Sequence, residues 1–324
     1  MDIVDDTVIA EAGRELGHDF HRMTRLPLQP AWPEAVKEGF FAAEATRGPR
    51  RSADRFERKW LQLRLRAFGR HRVVAADLTV DLLRRLDVSH CPITRERLTH
   101  GTQAGTDWSI DRLNNDGAYA ASNLAVMSVR ANRAKRSLSF DEVLSRAEQA
   151  ETMDGLPPAQ WMRLAALMLG PSFTTRQHMA PILPLTAPLP AHSVRLALQQ
   201  IQRLFTLEAT RPAGKNALLR EFRPACHSED TARRPRRLAD TVHDGLRQID
   251  AVDEPWDVWL QPAVMQALTQ WRLQLDPREW AAAAVIAGQL AGGSRVTARS
   301  LAGWHLSTGG YRPGCRQAPG LSAS

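Results

Sequence analysis

The sequence predicts a mainly α-helical protein with one small embedded α+β unit. Apolar residues recur at steps of three and four through much of the chain, as in Phe56, Trp60, Leu63 and Ala67. That spacing puts one apolar stripe along one side of a helix. One stretch, Trp108-Ser109-Ile110-Asp111-Arg112-Leu113, alternates with the period of a strand. It runs into Asn114-Asn115-Asp116-Gly117, a cluster that favours turns because these residues tolerate φ > 0.

Taken in order, residues 2–17 form a first helix, with Val4, Val8, Ala12 and Leu16 at four-residue steps. Pro27 to Pro33 is a connection, and 34–46 a second helix. Arg47-Gly48-Pro49-Arg50-Arg51 breaks the chain, and Ser52 is the expected N-cap of a helix over 53–69. Its polar faces carry Arg55, Arg58, Lys59, Arg64 and Arg66, with Arg70 beyond its end. Those charges form either a solvated side or a phosphate-contacting one. Residues 78–86 form a short helix leading to a hairpin at His90-Cys91, and Thr94 to Asp107 is a hairpin and loop with Gly101 and Gly105 as breakers.

After Ser122-Asn123 the period becomes helical. Leu124, Met127, Ala131, Ala134 and Leu138 make one stripe, with Ser128, Asn132 and Lys135 on another face. A strand then presents Asp111, and a helix presents Asn123 at its start and Asn132 in its middle. One carboxylate and two amide oxygens suit a hard cation, which prefers oxygen ligands.

This segment resembles the core of an HNH endonuclease, the ββα-metal fold. The resemblance rests on Asp111-Arg112, Asn123-Leu124 and Asn132-Arg133-Ala134-Lys135, with the family's nine-residue step from Asn123 to Asn132. Cys91-Pro92-Ile93-Thr94 resembles the opening hairpin of many members, so the likeness covers Cys91 to Ser139. It implies that Asp111 is the metal carboxylate, that Asn123 binds the metal or holds the loop, and that Asn132 stands where the last motif residue is usually His. Arg112 stands where the family places its general-base His. Arginine stays protonated and cannot take a proton from water, although it can bind phosphate or stabilise developing charge.

The resemblance therefore implies divalent-metal-dependent hydrolysis of DNA phosphodiester bonds. One ion, Mg²⁺, would be held by Asp111, Asn123 and Asn132. Asp111, Arg112, Asn123 and Asn132 would be the catalytic set, and Arg130, Arg133, Lys135 and Arg136 would contact nucleic acid. The alternatives are a nucleic-acid-binding protein that keeps the fold with weakened cleavage, and a protein-interaction module using the second half. His90 or His100 is a substitute base in the minority reading, and otherwise a solvent-exposed loop residue. Asp107 and Asp116 are turn or cap residues first and metal ligands second.

Composition bounds the partners. The 43 Lys and Arg against 35 Asp and Glu give +8 and a pI near 10.2, which suits an anionic polymer: DNA first, with RNA not excluded. No apolar run approaches the ~18 residues of a membrane span, and the acidic start MDIVDD lacks a signal-peptide pattern. No membrane partner and a cytoplasmic location are the expectations. Cys91, Cys226 and Cys315 are far apart, form no Cys-x-x-Cys pair and make no disulfide framework, so no structural zinc is expected. Cys91 is read as a small buried residue.

Beyond the motif, Ser139-Phe140-Asp141-Glu142 reads as a capping box opening a helix to about 150. Asp154-Gly155-Leu156-Pro157-Pro158 marks a boundary. The expected division is a helical region at 1–75, the HNH-like unit at 76–153, a helical domain at 154–306 and a flexible tail at 307–324. A helix with Trp161, Leu164, Ala165 and Met168 stops at Gly170-Pro171, and residues 180–192 are extended. Ser193 caps a helix with Val194, Ala197, Leu198, Ile201 and Phe205 on its stripe. Arg220 to Arg237, broken by Pro224 and Pro235, reads as a mobile basic surface segment first and a nucleic-acid contact second. Helices follow at 238–250, 262–274 and 277–291, with Trp256, Trp259, Trp271 and Trp280 as core anchors.

Overall fold

A computed structural model describes residues 6–173, 179–186, 195–250 and 254–292. The start of the first predicted helix, Ser193, Val194, Cys315 and the tail at 307–324 lie outside the described residues. Among the described residues there are twelve α-helices and one two-stranded antiparallel sheet, so the chain is mainly helical. It divides into two compact units. One takes the described residues up to Asp87 together with Asp111–Ala125; the other takes Val88–Ile110 and the described residues from Val126 onward.

In the first unit α1 (Asp6–Met23) runs past Leu16 because Phe20 continues its stripe, and α2 (Glu34–Ala45) packs along it. Glycines set how closely they meet. A Cβ on Gly17 would stand 1.9 Å from the Val36 carbonyl oxygen, and one on Gly39 would stand 1.9 Å from that of Arg14. Leu16, Phe20, Val36, Phe40 and Leu61 form the core here.

The third helix, α3 (Arg55–Phe68), is capped by Asp54 and not by Ser52. The Asp54 carboxylate accepts from the Phe56 and Glu57 amides, and Glu57 accepts in return from the Asp54 amide. This reciprocal box outweighs a lone Ser two residues earlier. The stripe shifts with it: Leu61, Leu63 and Ala67 are buried, while Phe56 and Trp60 are half-buried. Thr79 caps α4 (Val80–Arg85).

In the second unit, α5 (Val129–Lys135) is followed by α6 (Phe140–Ala147), which opens with the expected Ser139–Glu142 box. The 154–158 segment is a tight turn with Gly155 at φ +78, and residues on both sides of it belong to this unit. Helix α7 (Pro158–Ser172) does not stop at Gly170-Pro171. A proline in the last turn forfeits one backbone bond, and Pro171 is buried, which offsets the loss.

Helices α8 (Leu196–Glu208), α9 (Pro212–Phe222), α10 (Glu229–Arg247), α11 (Pro262–Gln274) and α12 (Pro277–Gly292) share one core, centred on Phe205, Phe222, Leu238, Val242, Trp259 and Trp271. Trp256, Trp259 and Trp271 are buried, whereas Trp280 is half-buried beneath the Arg272 guanidinium. Asp257 receives hydrogen bonds from both Arg95 and Arg163, which ties the Cys91 turn, α7 and the Pro255–Leu260 3-10 turn together.

The 220–237 segment is largely helical, contrary to the sequence expectation, with a break at 226–228. Pro224 sits in a 3-10 turn, Ser228 caps α10 with its side chain, and Pro235 lies inside that helix. Pro235 faces the core beside Leu238, Ala239 and Val242, so burial outweighs the missing hydrogen bond.

Candidate functional site

The motif folds as strand β1 (Trp108–Arg112), a loop, a 3-10 turn at Ala121–Asn123, strand β2 (Leu124–Ser128) and then α5. The helical reading of 124–128 is corrected. All five residues of β2 are buried and the strand pairs with β1. A short, continuous apolar run fits a buried strand as well as a helix, and partners decide between them. Ser128 is the N-cap of α5, accepting from the Ala131 amide at 3.2 Å.

Asn123 is 0% exposed, and both ends of its side chain are used. Its Oδ1 accepts from the Asn114 amide at 2.8 Å, while Nδ2 donates to the Asn114 and Ala118 carbonyls at 2.8 and 2.9 Å. It holds the loop with both ends of its side chain. Arg112 holds the same loop from the other end. It is 8% exposed, and its Nη1 donates to the Asn115 and Gly117 carbonyls at 2.9 and 3.0 Å. Its guanidinium carbon lies 4.7 Å from the centre of the Tyr119 ring. The expected phosphate-binding role of Arg112 gives way to this inward one. Sequence reading missed Tyr119, whose backbone pairs with Val73 and Ala75; its only signal was an aromatic in a polar loop.

Asp111 lies half-buried on β1. Asn132 is on α5, where its Nδ2 donates to Ser109 Oγ at 2.7 Å. Lys135 is 0% exposed, so it cannot reach a phosphate as expected. Arg130 is half-exposed and paired with Glu96 at 3.0 Å. Arg133 on the motif helix and Arg136 at its C-terminal cap are exposed cations, and Arg136 lies 3.5 Å from Asp154.

Asp107 is a turn residue. Its carboxylate accepts from the Thr102 and Thr99 hydroxyls, both at 2.7 Å, and from the Gln103 amide at 2.7 Å. The Thr102 and Thr99 bonds, helped by backbone amides, hold its pKa at about 2. Asp116 is exposed. His90 and His100 are exposed too; His90 Nδ1 lies 2.9 Å from Ser89 Oγ and the His100 ring 6.1 Å from the Trp108 ring. Cys91 is buried, and its Sγ accepts from the Thr94 and Ser128 amides. Among the described residues no three His, Cys, Asp or Glu side chains group so as to hold a metal ion.

On the basic helix α3, Arg55 pairs with Asp87 and Arg64 with Asp19, and burial pushes the Lys59 amine down to about 8. Arg58 and Arg66, and Arg70 beyond the helix end, are exposed. No helix among the described residues is long and apolar enough to cross a membrane. No family model, curated protein or solved structure matches the chain.

Proposed function

We propose that the chain acts on nucleic acid through an HNH-like ββα unit, as a divalent-metal-dependent phosphodiesterase with DNA as its substrate. What supports this is the strand–loop–strand–helix order, with Asp111 on the first strand and the loop closed by Asn123. Asn123 takes the loop-holding role that the resemblance allows it.

A single carboxylate fits Mg²⁺, which is commonly held by one or two carboxylates, water and substrate phosphate. Bound there, the ion would supply positive charge to the leaving oxygen and the phosphorus. Asp111 is the residue proposed to hold it. Asn123 and Arg112 keep the loop in one conformation, and the exposed Arg133 and Arg136 take backbone phosphates.

A second reading is that the unit binds nucleic acid without cutting it. One observation favours it: the side chain at the family's general-base position is an arginine bonded to two loop carbonyls.

Incubating the full chain with plasmid and linear DNA, with and without Mg²⁺ or Mn²⁺, tests both. The first reading expects ion-dependent cleavage that Asp111→Asn abolishes. Cleavage that survives Asp111→Asn moves the site elsewhere. Binding without cleavage of DNA or RNA under any common divalent ion leaves the second reading.

A further inference from the structure

The later part of the 220–237 stretch belongs to the amphipathic helix α10, whose outer face carries arginines interspersed with Glu229, Asp230, Asp240 and Asp244. Arg233, Arg236 and Arg237 lie at i, i+3 and i+4 of α10 and so share one side. All three are exposed, and Pro235, Leu238, Ala239 and Val242 occupy the opposite, buried side. Arg236 and Arg237, with the half-buried Arg234, have no acidic partner among the described residues. Arg233 comes only within 3.7 Å of Asp230, a pair open to solvent.

Beside this face is a cleft of about 430 Å³, with Arg223, Arg233 and Arg236 on its walls and Cys226, Leu219 and Pro235 behind them. Glu229 also lines it and pairs with Arg223 at 2.8 Å. The arginines still outnumber the acid.

We propose that this face and its cleft bind the phosphate backbone of duplex DNA, as a second contact surface carried by elements outside the ββα unit. Arginine's planar fork matches phosphate oxygens in pairs. Three arginines held by one ordered helix lose little freedom on binding, unlike those of a mobile segment. A lipid surface fits less well. A membrane-bound amphipathic helix needs its apolar side free to enter the bilayer, and the apolar side of α10 is in the helical core. The surface does not depend on cleavage at Asp111, so each idea can fail alone.

The test is a fluorescence-anisotropy titration of a labelled DNA duplex with the full chain over a range of salt. Arg233→Gln, Arg236→Gln and Arg237→Gln together should lower the log–log salt slope by about 2.7, at about 0.9 per phosphate released. The matching Lys triple should keep most of the slope, because its charge remains. Arg236→Gln alone should lower it by about 0.9, which covers the case of a triple variant that folds poorly. An unchanged slope in the Gln variants overturns the proposal, as does a wild-type chain that fails to bind duplex. Phosphatidylserine-containing vesicles form a parallel arm. Vesicle binding that the triple abolishes, with DNA binding untouched, would assign the face to membranes and also overturn it.

Discussion

Asn123 and Asn114 exchange two hydrogen bonds, amide N to Oδ1 and Nδ2 to carbonyl oxygen, each 2.8 Å long. This reciprocal pair closes the loop between β1 and β2, and it gives Asn123 a fixed structural duty. Asn123→Ala should destabilise the chain by about 3 kcal/mol, since three bonds are lost and buried polar groups are left unpaired. Asn123→Asp should not rescue it, because a carboxylate cannot donate to the Asn114 and Ala118 carbonyls. Urea melts of both variants check this. A stable Asn123→Asp variant with tighter Mg²⁺ binding would return Asn123 to the metal.

Arg112→His places the family's usual residue type in a buried loop brace. The expected outcome is a loss of about 2 kcal/mol, from two charge-assisted bonds and the contact over Tyr119. No gain in DNA hydrolysis should accompany it. Thermal melts and plasmid cleavage at several pH values measure both effects. Hydrolysis that appears in the variant and rises through the imidazole pKa, about 6.5, would place side chain 112 at the reacting centre.

Asp107 makes the Thr99–Asp107 turn acid-sensitive. Its folded pKa is depressed to about 2 from an ordinary 3.8. The stability it contributes is therefore present above pH 3.8 and is lost as pH falls toward 2. Melts between pH 5 and pH 2 should show wild type losing more stability than Asp107→Asn over that window. Parallel curves for the two proteins would remove Asp107 as the source.

Two glycines should respond in opposite directions to the same change. Gly17→Ala drives a methyl into the Val36 carbonyl at the α1–α2 contact and should cost about 3 kcal/mol. Gly288 lies inside α12 with nothing within 4 Å of an added Cβ. Gly288→Ala should stabilise by up to about 1 kcal/mol, because alanine is the better helix former. Equal effects in chemical denaturation would mean that the close approach of α1 and α2 is not required.

Local chemistry determined a good part of this protein. The Ser139–Glu142 box, the helix at 34–45, and α11 and α12 with prolines at their first positions are legible because caps and starts depend on neighbours in sequence. Asp107 was readable as a turn residue for the same reason. Its partners Thr99, Thr102 and Gln103 lie within eight residues of it.

Tertiary structure decided what local patterns leave open. Leu124–Ser128 is a strand because β1 supplies the missing half of its hydrogen bonds. Pro235 sits in a helix because its buried face offsets a broken backbone bond. Spacing placed Lys135 beside Asn132 on a polar face, yet its side chain is wholly buried. The family resemblance marked Arg112 as a functional cation, whereas it turns inward to the Asn115 and Gly117 carbonyls and the Tyr119 ring. A charged side chain goes where it finds enough partners to repay its desolvation, and the folded chain, more than residue spacing, sets where those partners are.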